Sequence, residues 1–355
     1  MTKQIPVGLV AYGTSGRYFH APIIDSTPEL RLASVVQRHD DSAREDYPDL
    51  MIVRSTEELL EDDSIALVVI TTPNTTHFEL AQMALEAGRH VVVEKPFTPD
   101  SVQARKLVAL AEEKGKVLSV YQNRRWDGDF LTVRKLTESG VFGRLVEFES
   151  RYDRFRNHPK PGDAWREKDL PGSGILFDLG SHLIDQALVL FGMPDRIAAD
   201  IRRQRSFASA DDYFDLDLHY GDDGLKVTLK AGMLVREATP RFRLHGTKAS
   251  FVKYGMDPQE EALKKGGRPG DEHWGEETEE NWGNLISDVN GNQVERKVET
   301  EPGCYQAFYS KLAAAIERNT APPVTATEAR NTIRIIELAK RSSEEQRSVP
   351  FTPED

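Results

Sequence analysis

The amino-acid sequence predicts an α/β domain with a parallel, doubly wound sheet, followed by an α+β domain built on a large, mainly antiparallel sheet. Three observations lead there. The chain has 355 residues, enough for about two domains, each with a substantial core. Up to about residue 120, short β-branched runs alternate with longer amphipathic stretches, the spacing of parallel strands joined by crossover helices. Beyond residue 124 the hydrophobic period falls to two, as in strands with one apolar and one polar face. The expected domains are therefore 1–124 and 125–355.

In chain order, strands are expected near Val7–Val10, Leu32–Val36, Ala66–Ile70, His90–Val93 and Val117–Val120. The helices between them are clearest at His77–Ala87 and Ser101–Lys114, each followed by a glycine, Gly88 or Gly115, where a left-handed cap wants one. In the second half, Tyr213–Tyr220 alternates Phe214, Leu216 and Leu218 with Asp215, Asp217 and His219. Leu225–Ala231 alternates its apolar residues with Lys226, Thr228 and Lys230 in the same way. Arg144–Tyr152, Arg196–Gln204 and Arg241–His245 extend this sheet, and helices at Tyr305–Arg318 and Thr327–Arg341 are candidates to cover its apolar side. Residues 255–303, rich in glycine and acid and holding Trp274 and Trp282, are expected to form a long irregular excursion.

Composition narrows the function classes. Lys plus Arg is 46 against 58 for Asp plus Glu, a net charge of −12 that disfavours a nucleic-acid partner. Residues 271–301 alone hold ten acidic and two basic side chains and are expected to be a solvated loop region. The single Cys304 allows no intrachain disulfide and no cysteine-based zinc site, which fits a reducing compartment. Apolar runs stop at about five residues, so neither a membrane span nor a signal peptide is expected, and the default location is the cytoplasm.

The first strand runs into Ala11-Tyr12-Gly13-Thr14-Ser15-Gly16, a dinucleotide fingerprint with alanine in its first glycine position. Such a turn lets backbone N–H groups approach a pyrophosphate at a helix start, and alanine serves there if its φ stays negative. A tight βα turn without ligand is the plain alternative. About 22 residues past Gly16, a site for NAD would offer a carboxylate to the ribose 2′-hydroxyl; here the chain reads Gln37-Arg38-His39. A guanidinium pairs with a 2′-phosphate that a carboxylate would repel, so Arg38 points to NADP, with NAD still open.

Later strands end in Thr71-Thr72-Pro73-Asn74-Thr75-Thr76-His77 and in Glu94-Lys95-Pro96. The carboxyl ends of parallel strands are where open α/β sheets bind ligands, so Thr72, Pro73, Asn74, His77, Glu94 and Lys95 should line the crevice beside Gly13. An ammonium there can stabilise a developing alkoxide, although a βα-turn lysine is ordinarily a surface group. In the second half, Gly172–Asp185 places Asp178, His182 and Asp185 along one stripe of an otherwise apolar helix. Two carboxylates and an imidazole on such a helix are costly unless paired or used. Asp178, one turn away, can orient His182 as a general base; the alternative is a satisfied Asp-His pair in the core. With no further clustered ligand, no metal is expected. Asn123-Arg124-Arg125-Trp126-Asp127 and Trp165-Arg166 suit a dinucleotide or a polyol better than nucleic acid in so acidic a chain, and Tyr152 and Arg154 share a face at their strand end.

With Gly13 and Gly16, Thr72-Pro73-Asn74-x-x-His77, Glu94-Lys95-Pro96 and Asp178-x-Gly180-x-His182-x-x-Asp185 in this order, the chain resembles the glucose-fructose oxidoreductase / inositol dehydrogenase / MocA family over essentially its whole length. Gly13–Pro22, Tyr121–Asp127 and the Trp274-Gly275 excursion look most like the NADP-dependent scyllo-inositol dehydrogenases within it. The resemblance implies a Rossmann domain, a C-terminal domain with an open-faced sheet, and an active site between them. It puts Lys95, Asp178 and His182 on the catalytic positions, Asp185 on one that holds substrate hydroxyls, Asn123, Tyr152 and Arg154 on substrate-facing ones, and Trp165-Arg166 near the nicotinamide. Gly13, Thr14, Ser15, Gly16, Arg38, Thr72, Pro73, Asn74, His77, Glu94 and Lys95 become the expected cofactor contacts. Open-faced sheets of this family pair between subunits, so a homo-oligomer is expected. The expected activity is NADP-dependent oxidation of a secondary hydroxyl of a cyclic polyol or sugar, scyllo-inositol first. An NAD-using glycoside hydrolase of the same fold and a non-catalytic dinucleotide-binding regulator are the alternatives.

Overall fold

Short apolar runs bounded by glycine, proline and polar turns form the strands of two sheets in a computed structural model, which describes residues 4–160, 165–221 and 224–352. The chain packs as two units: Met1–Trp126 with Pro258–Gly275 and Cys304–Asn331, and Asp127–Asp257 with Glu276–Gly303 and Thr332–Asp355.

In the first unit, β1 (Ile5–Val10) passes through a π-helical turn (Ser15–His20) into α1 (Ala21–Asp25). Then follow β2 (Leu30–Val36), α2 (Ala43–Asp46), β3 (Met51–Val53), α3 (Thr56–Leu60), β4 (Leu67–Ile70), α4 (His77–Glu86), β5 (His90–Val93), α5 (Ser101–Lys114) and β6 (Leu118–Val120). The six strands are parallel in the order β3-β2-β1-β4-β5-β6. Strand order reverses between β1 and β4, the switch point at which such sheets bind ligands. Every residue of β4 is fully buried, so its continuous apolar run marks the middle of a sheet covered on both faces. Asp100 caps α5 by accepting the Gln103 N–H at 2.8 Å, and the expected glycine stops are present at Gly88 (φ 74°) and Gly115 (φ 61°).

The second unit opens with α6 (Gly128–Glu138) and β7 (Leu145–Arg151). A π-helical turn (Leu176–Gly180) leads into α7 (Ser181–Phe191), and β8 (Arg196–Arg202), β9 (Tyr213–Tyr220), β10 (Leu225–Gly232), β11 (Phe242–Gly246) and β12 (Ala249–Lys253) follow. The alternation in β9 is realised: Phe214, Leu216 and Leu218 are fully buried, Asp215 and Asp217 are half-buried and His219 is exposed. On the polar face, carboxylates face cations across strands: Lys230 Nζ lies 2.6 Å from Asp215 and Arg243 Nη2 2.8 Å from Glu149.

The excursion 255–303 is not irregular throughout. It contains α8 (Gln259–Lys264) and a hairpin, β13 (Gly283–Val289) and β14 (Asn292–Val298), turned at Asn290-Gly291. The hairpin extends the sheet to nine strands, β14-β13-β12-β11-β7-β10-β9-β8-β15, antiparallel except for the β7–β10 pair. An edge strand as exposed as β14 needs no apolar alternation, which hid it from a hydrophobic pattern. Nor is the acidic run wholly solvated: Glu277 is buried against the fully buried Lys253, 2.6 Å away. The last helices divide. α9 (Gln306–Arg318) packs in the first unit rather than over the large sheet. α10 (Ala326–Glu345) supplies Ser342 and Ser343, whose hydroxyls accept the backbone N–H groups of Ala199 and Ile201 on β8, and β15 (Val349–Pro350) pairs with that strand.

Candidate active site

In the first unit, the fingerprint turn leaves the carboxyl end of β1 at the switch point. Thr71, at the end of β4, donates its hydroxyl to the carbonyls of Val10 and Ala11, 3.0 Å each, joining the two strand ends. Ala11 does not keep φ negative as the sequence reading required; it stands at φ 80°, the left-handed region that favours glycine. Gly16 is indispensable for a different reason, since a Cβ there would lie 2.4 Å from the Ala11 carbonyl oxygen. Gly13 has no heavy atom within 4 Å of its Cβ direction, so the turn keeps an open backbone face of the kind a pyrophosphate requires. The residues present thus fit a dinucleotide.

Glu94 ties this turn to Lys95. Its Oε1 accepts from the Ser15 hydroxyl and lies 3.0 Å from His20 Nε2, while Oε2 accepts the Lys95 N–H at 2.7 Å. His20 Nδ1 in turn lies 2.6 Å from the Tyr309 hydroxyl. Burial pushes the Glu94 carboxyl up, but the hydrogen bond and charge of His20, the Lys95 cation and the Ser15 hydroxyl outweigh it and hold the group down at about 2. Glu94 therefore stays ionised and braces the Gly13–Gly16 turn against the backbone of Lys95, just past β5. The Lys95-Pro96 bond is cis.

His77 is also a brace. It is buried, with Nε2 2.9 Å from the Thr72 carbonyl and Nδ1 3.1 Å from the carbonyls of Pro96 and Phe97, so it stitches the loop after β4 to the loop after β5. Burial holds its pKa below the ordinary histidine value, and a neutral ring has one N–H to share among these carbonyls. In the same loop Asn74 is buried, Thr72 is half-buried and accepts from the Thr76 hydroxyl at 2.7 Å, and Pro73 is exposed. Arg38 is exposed at the end of β2. Asn123 begins a buried single turn (Asn123–Trp126) after β6; Arg124 there pairs with Glu260, and Arg125 lies 3.2 Å from Glu328. These arginines are internal struts, not a surface for a polyanion.

In the second unit, His182 and Asp185 lie one turn apart on α7, both buried, with apolar neighbours Leu183, Ile184 and Ala187. Asp178 is not on the same regular helix. It belongs to the π-helical turn before α7, is half-buried, and its Oδ1 lies 3.2 Å from Arg166 Nε. Arg166 in turn stacks over the Trp165 ring at 4.6 Å. Past β7 the chain stays extended, the N–H groups of Tyr152 and Arg154 donating to the carbonyls of Lys230 and Gly232. Their side chains differ, Tyr152 being buried and Arg154 exposed beside Arg166 and Asp178 in one cavity.

Residues 5–122 match the model of an oxidoreductase family with an NAD-binding Rossmann fold, and residues 134–351 match that family's C-terminal α/β domain. The chain belongs to the Gfo/Idh/MocA oxidoreductase family. A scyllo-inositol 2-dehydrogenase (NADP(+)) of Bacillus subtilis strain 168 is 42% identical over 97% of this chain and 95% of its own, and an uncharacterized oxidoreductase of Escherichia coli K12 is 44% identical over 97% of each. A solved oxidoreductase structure from Bacillus subtilis superposes with a TM-score of 0.95 at 40% identity, covering 99% of both chains. As a Gfo/Idh/MocA member the chain is a nicotinamide-dinucleotide-dependent dehydrogenase with the two-domain fold of its relatives.

Within this Gfo/Idh/MocA chain, sequence reasoning missed the residues that support the site. His20 and Tyr309 are 289 positions apart, and no local pattern joins them. From the sequence alone, Arg241 is no more than the start of a strand. It is buried, donates to Tyr152 Oη and Gln186 Oε1 at 2.8 Å each, and stacks 3.9 Å from the Tyr152 ring centroid. An arginine inside a period-two run was the one available signal. No helix among the described residues is long and apolar enough to cross a membrane.

Proposed function

We propose that this dehydrogenase oxidises a secondary hydroxyl of a cyclic polyol, scyllo-inositol first among them, with NADP as acceptor. The observation that carries the reading is the pair His182 and Asp185, buried one turn apart on the apolar helix α7, where an imidazole and a carboxylate can each take a substrate hydroxyl. The 42% identical relative named for this substrate and cofactor supports it.

When bound, the dinucleotide supplies the two-electron acceptor. The chain's own residues do the rest. His182, oriented by Asp178, takes the hydroxyl proton, and the Lys95 ammonium stabilises the alkoxide as it forms. Asp185, Asn123, Tyr152 and Arg154 hold the remaining hydroxyls. The Gly13–Gly16 turn, Thr72, Pro73 and Asn74 receive the cofactor, Trp165 and Arg166 serve its nicotinamide end, and Arg38 meets a 2′-phosphate. Glu94 and His77 act by positioning, through Ser15, Thr72 and the backbone of Lys95-Pro96-Phe97. The charged open face of the nine-stranded sheet is the surface on which we expect two copies to pair, and the single cysteine fits the cytoplasm.

The test is initial-rate reduction of NADP and of NAD over scyllo-inositol, myo-inositol, other cyclic polyols and aldoses. Turnover with NADP and an inositol is the expected result. Tight dinucleotide binding without turnover on any of them would replace this reading with the captive-cofactor hydrolase or the regulator.

A further inference from the structure

Arg54 lies just past β3, in no motif that the sequence singles out, and its guanidinium is committed three ways. Nη1 donates to the carbonyls of Gln37 and Asp40 at 3.0 Å each, and Nη2 lies 2.8 Å from Asp41 Oδ1. All three acceptors belong to the loop that leaves β2 carrying Arg38. Asp40, exposed on the same loop, is held by local hydrogen bonds: its Oδ1 accepts from Gln37 Nε2 at 2.6 Å and from the Ser42 hydroxyl and N–H at 2.7 and 3.0 Å. Gln37 closes the set by accepting the Ala43 N–H at 3.0 Å. All four residues from Arg38 to Asp41 are exposed, but both carboxylates are engaged within the loop or by Arg54.

The loop thus contains both cofactor codes. Arg38 suits a 2′-phosphate, whereas a released Asp40 or Asp41 would repel that dianion and accept from a 2′-hydroxyl instead. Which code is presented depends on where the carboxylates point. A lysine could neutralise Asp41 but could not span two carbonyls and a carboxylate with one rigid fork. We propose that Arg54 is a specificity-determining positioning residue: it clamps the loop, pairs off Asp41, and so leaves Arg38 to select the 2′-phosphorylated dinucleotide. This deepens the NADP reading and rests on it.

The test is calorimetric binding of adenosine 2′,5′-bisphosphate and of 5′-AMP, which differ only in the 2′-phosphate, to the full chain. The wild type should favour the bisphosphate, and Arg54→Met should cut that ratio by about tenfold, one full charge pair's worth near a surface. Adding Asp41→Asn to Arg54→Met should restore most of the ratio. The Arg54 side chain is 53% exposed, so its loss should leave the fold intact, with 5′-AMP binding as the internal control. A wild type indifferent to the 2′-phosphate would overturn the NADP reading itself. A wild-type preference that Arg54→Met leaves unchanged would overturn the role of Arg54 alone, and a loss that Asp41→Asn fails to restore would overturn its charge argument.

Discussion

Ala11 shows how a single residue can hold a position its chemistry disfavours. At φ 80° its Cβ crowds the neighbouring carbonyl, a conformation costing about 1–2 kcal/mol for a residue other than glycine. Ala11→Gly should therefore raise stability by up to about 1 kcal/mol once the greater freedom of unfolded glycine is offset, measurable as a higher urea midpoint. An unchanged or lower midpoint would mean the turn gains nothing from relief. Glu94 makes a second residue-scale prediction. Its carboxyl is held at about 2 against an ordinary 4.5, so its contribution to stability is complete above that ordinary value and is lost as pH falls through about 2. Glu94→Gln should flatten the acid limb of the stability curve; a limb identical to wild type would show that the brace is not electrostatic. A residue's local demand was legible in the sequence where it followed a motif, as for Gly16, where a Cβ would meet the Ala11 carbonyl oxygen. It was illegible where the motif residue serves as a brace: nothing in Thr-Pro-Asn-x-x-His says that His77 is buried with its ring set between backbone carbonyls of two loops.

Elements with strong periodicity were legible, and those whose shape depends on distant partners were not. The continuous apolar run of β4 and the alternation of β9 each appear where their period puts them. The β13–β14 hairpin escaped because an exposed edge strand carries no apolar face, although its Asn290-Gly291 turn is a hairpin dipeptide. The helix carrying Asp178, His182 and Asp185 was expected to be regular. It starts instead as a π-helical turn, in which Asp178 lies 3.2 Å from Arg166, a deviation that no hydrophobic pattern encodes. Energetics should follow the same division. Ile70→Ala, in the fully buried β4, should destabilise by about 2–5 kcal/mol, whereas Val294→Thr on the exposed β14 should stay within about 0.5 kcal/mol. Chemical denaturation of the two variants checks this, and equal losses would contradict the assigned layers.

At the scale of the whole molecule, two kinds of hydrophobic period gave both domain types, and the order of four short motifs gave the family. The return of residues 258–275 and 304–331 to the first unit was not legible, because chain connectivity between units leaves no local pattern. The central claim of the proposed function is that the Lys95 ammonium and the His182 imidazole both serve the dehydrogenase reaction. The most direct measurement is kcat for NADP reduction by scyllo-inositol in Lys95→Ala and His182→Ala, beside the NADP Kd of each. The account predicts that kcat falls by about 100-fold or more in both while Kd moves by less than about threefold. Turnover that survives either substitution with Kd unchanged would contradict it.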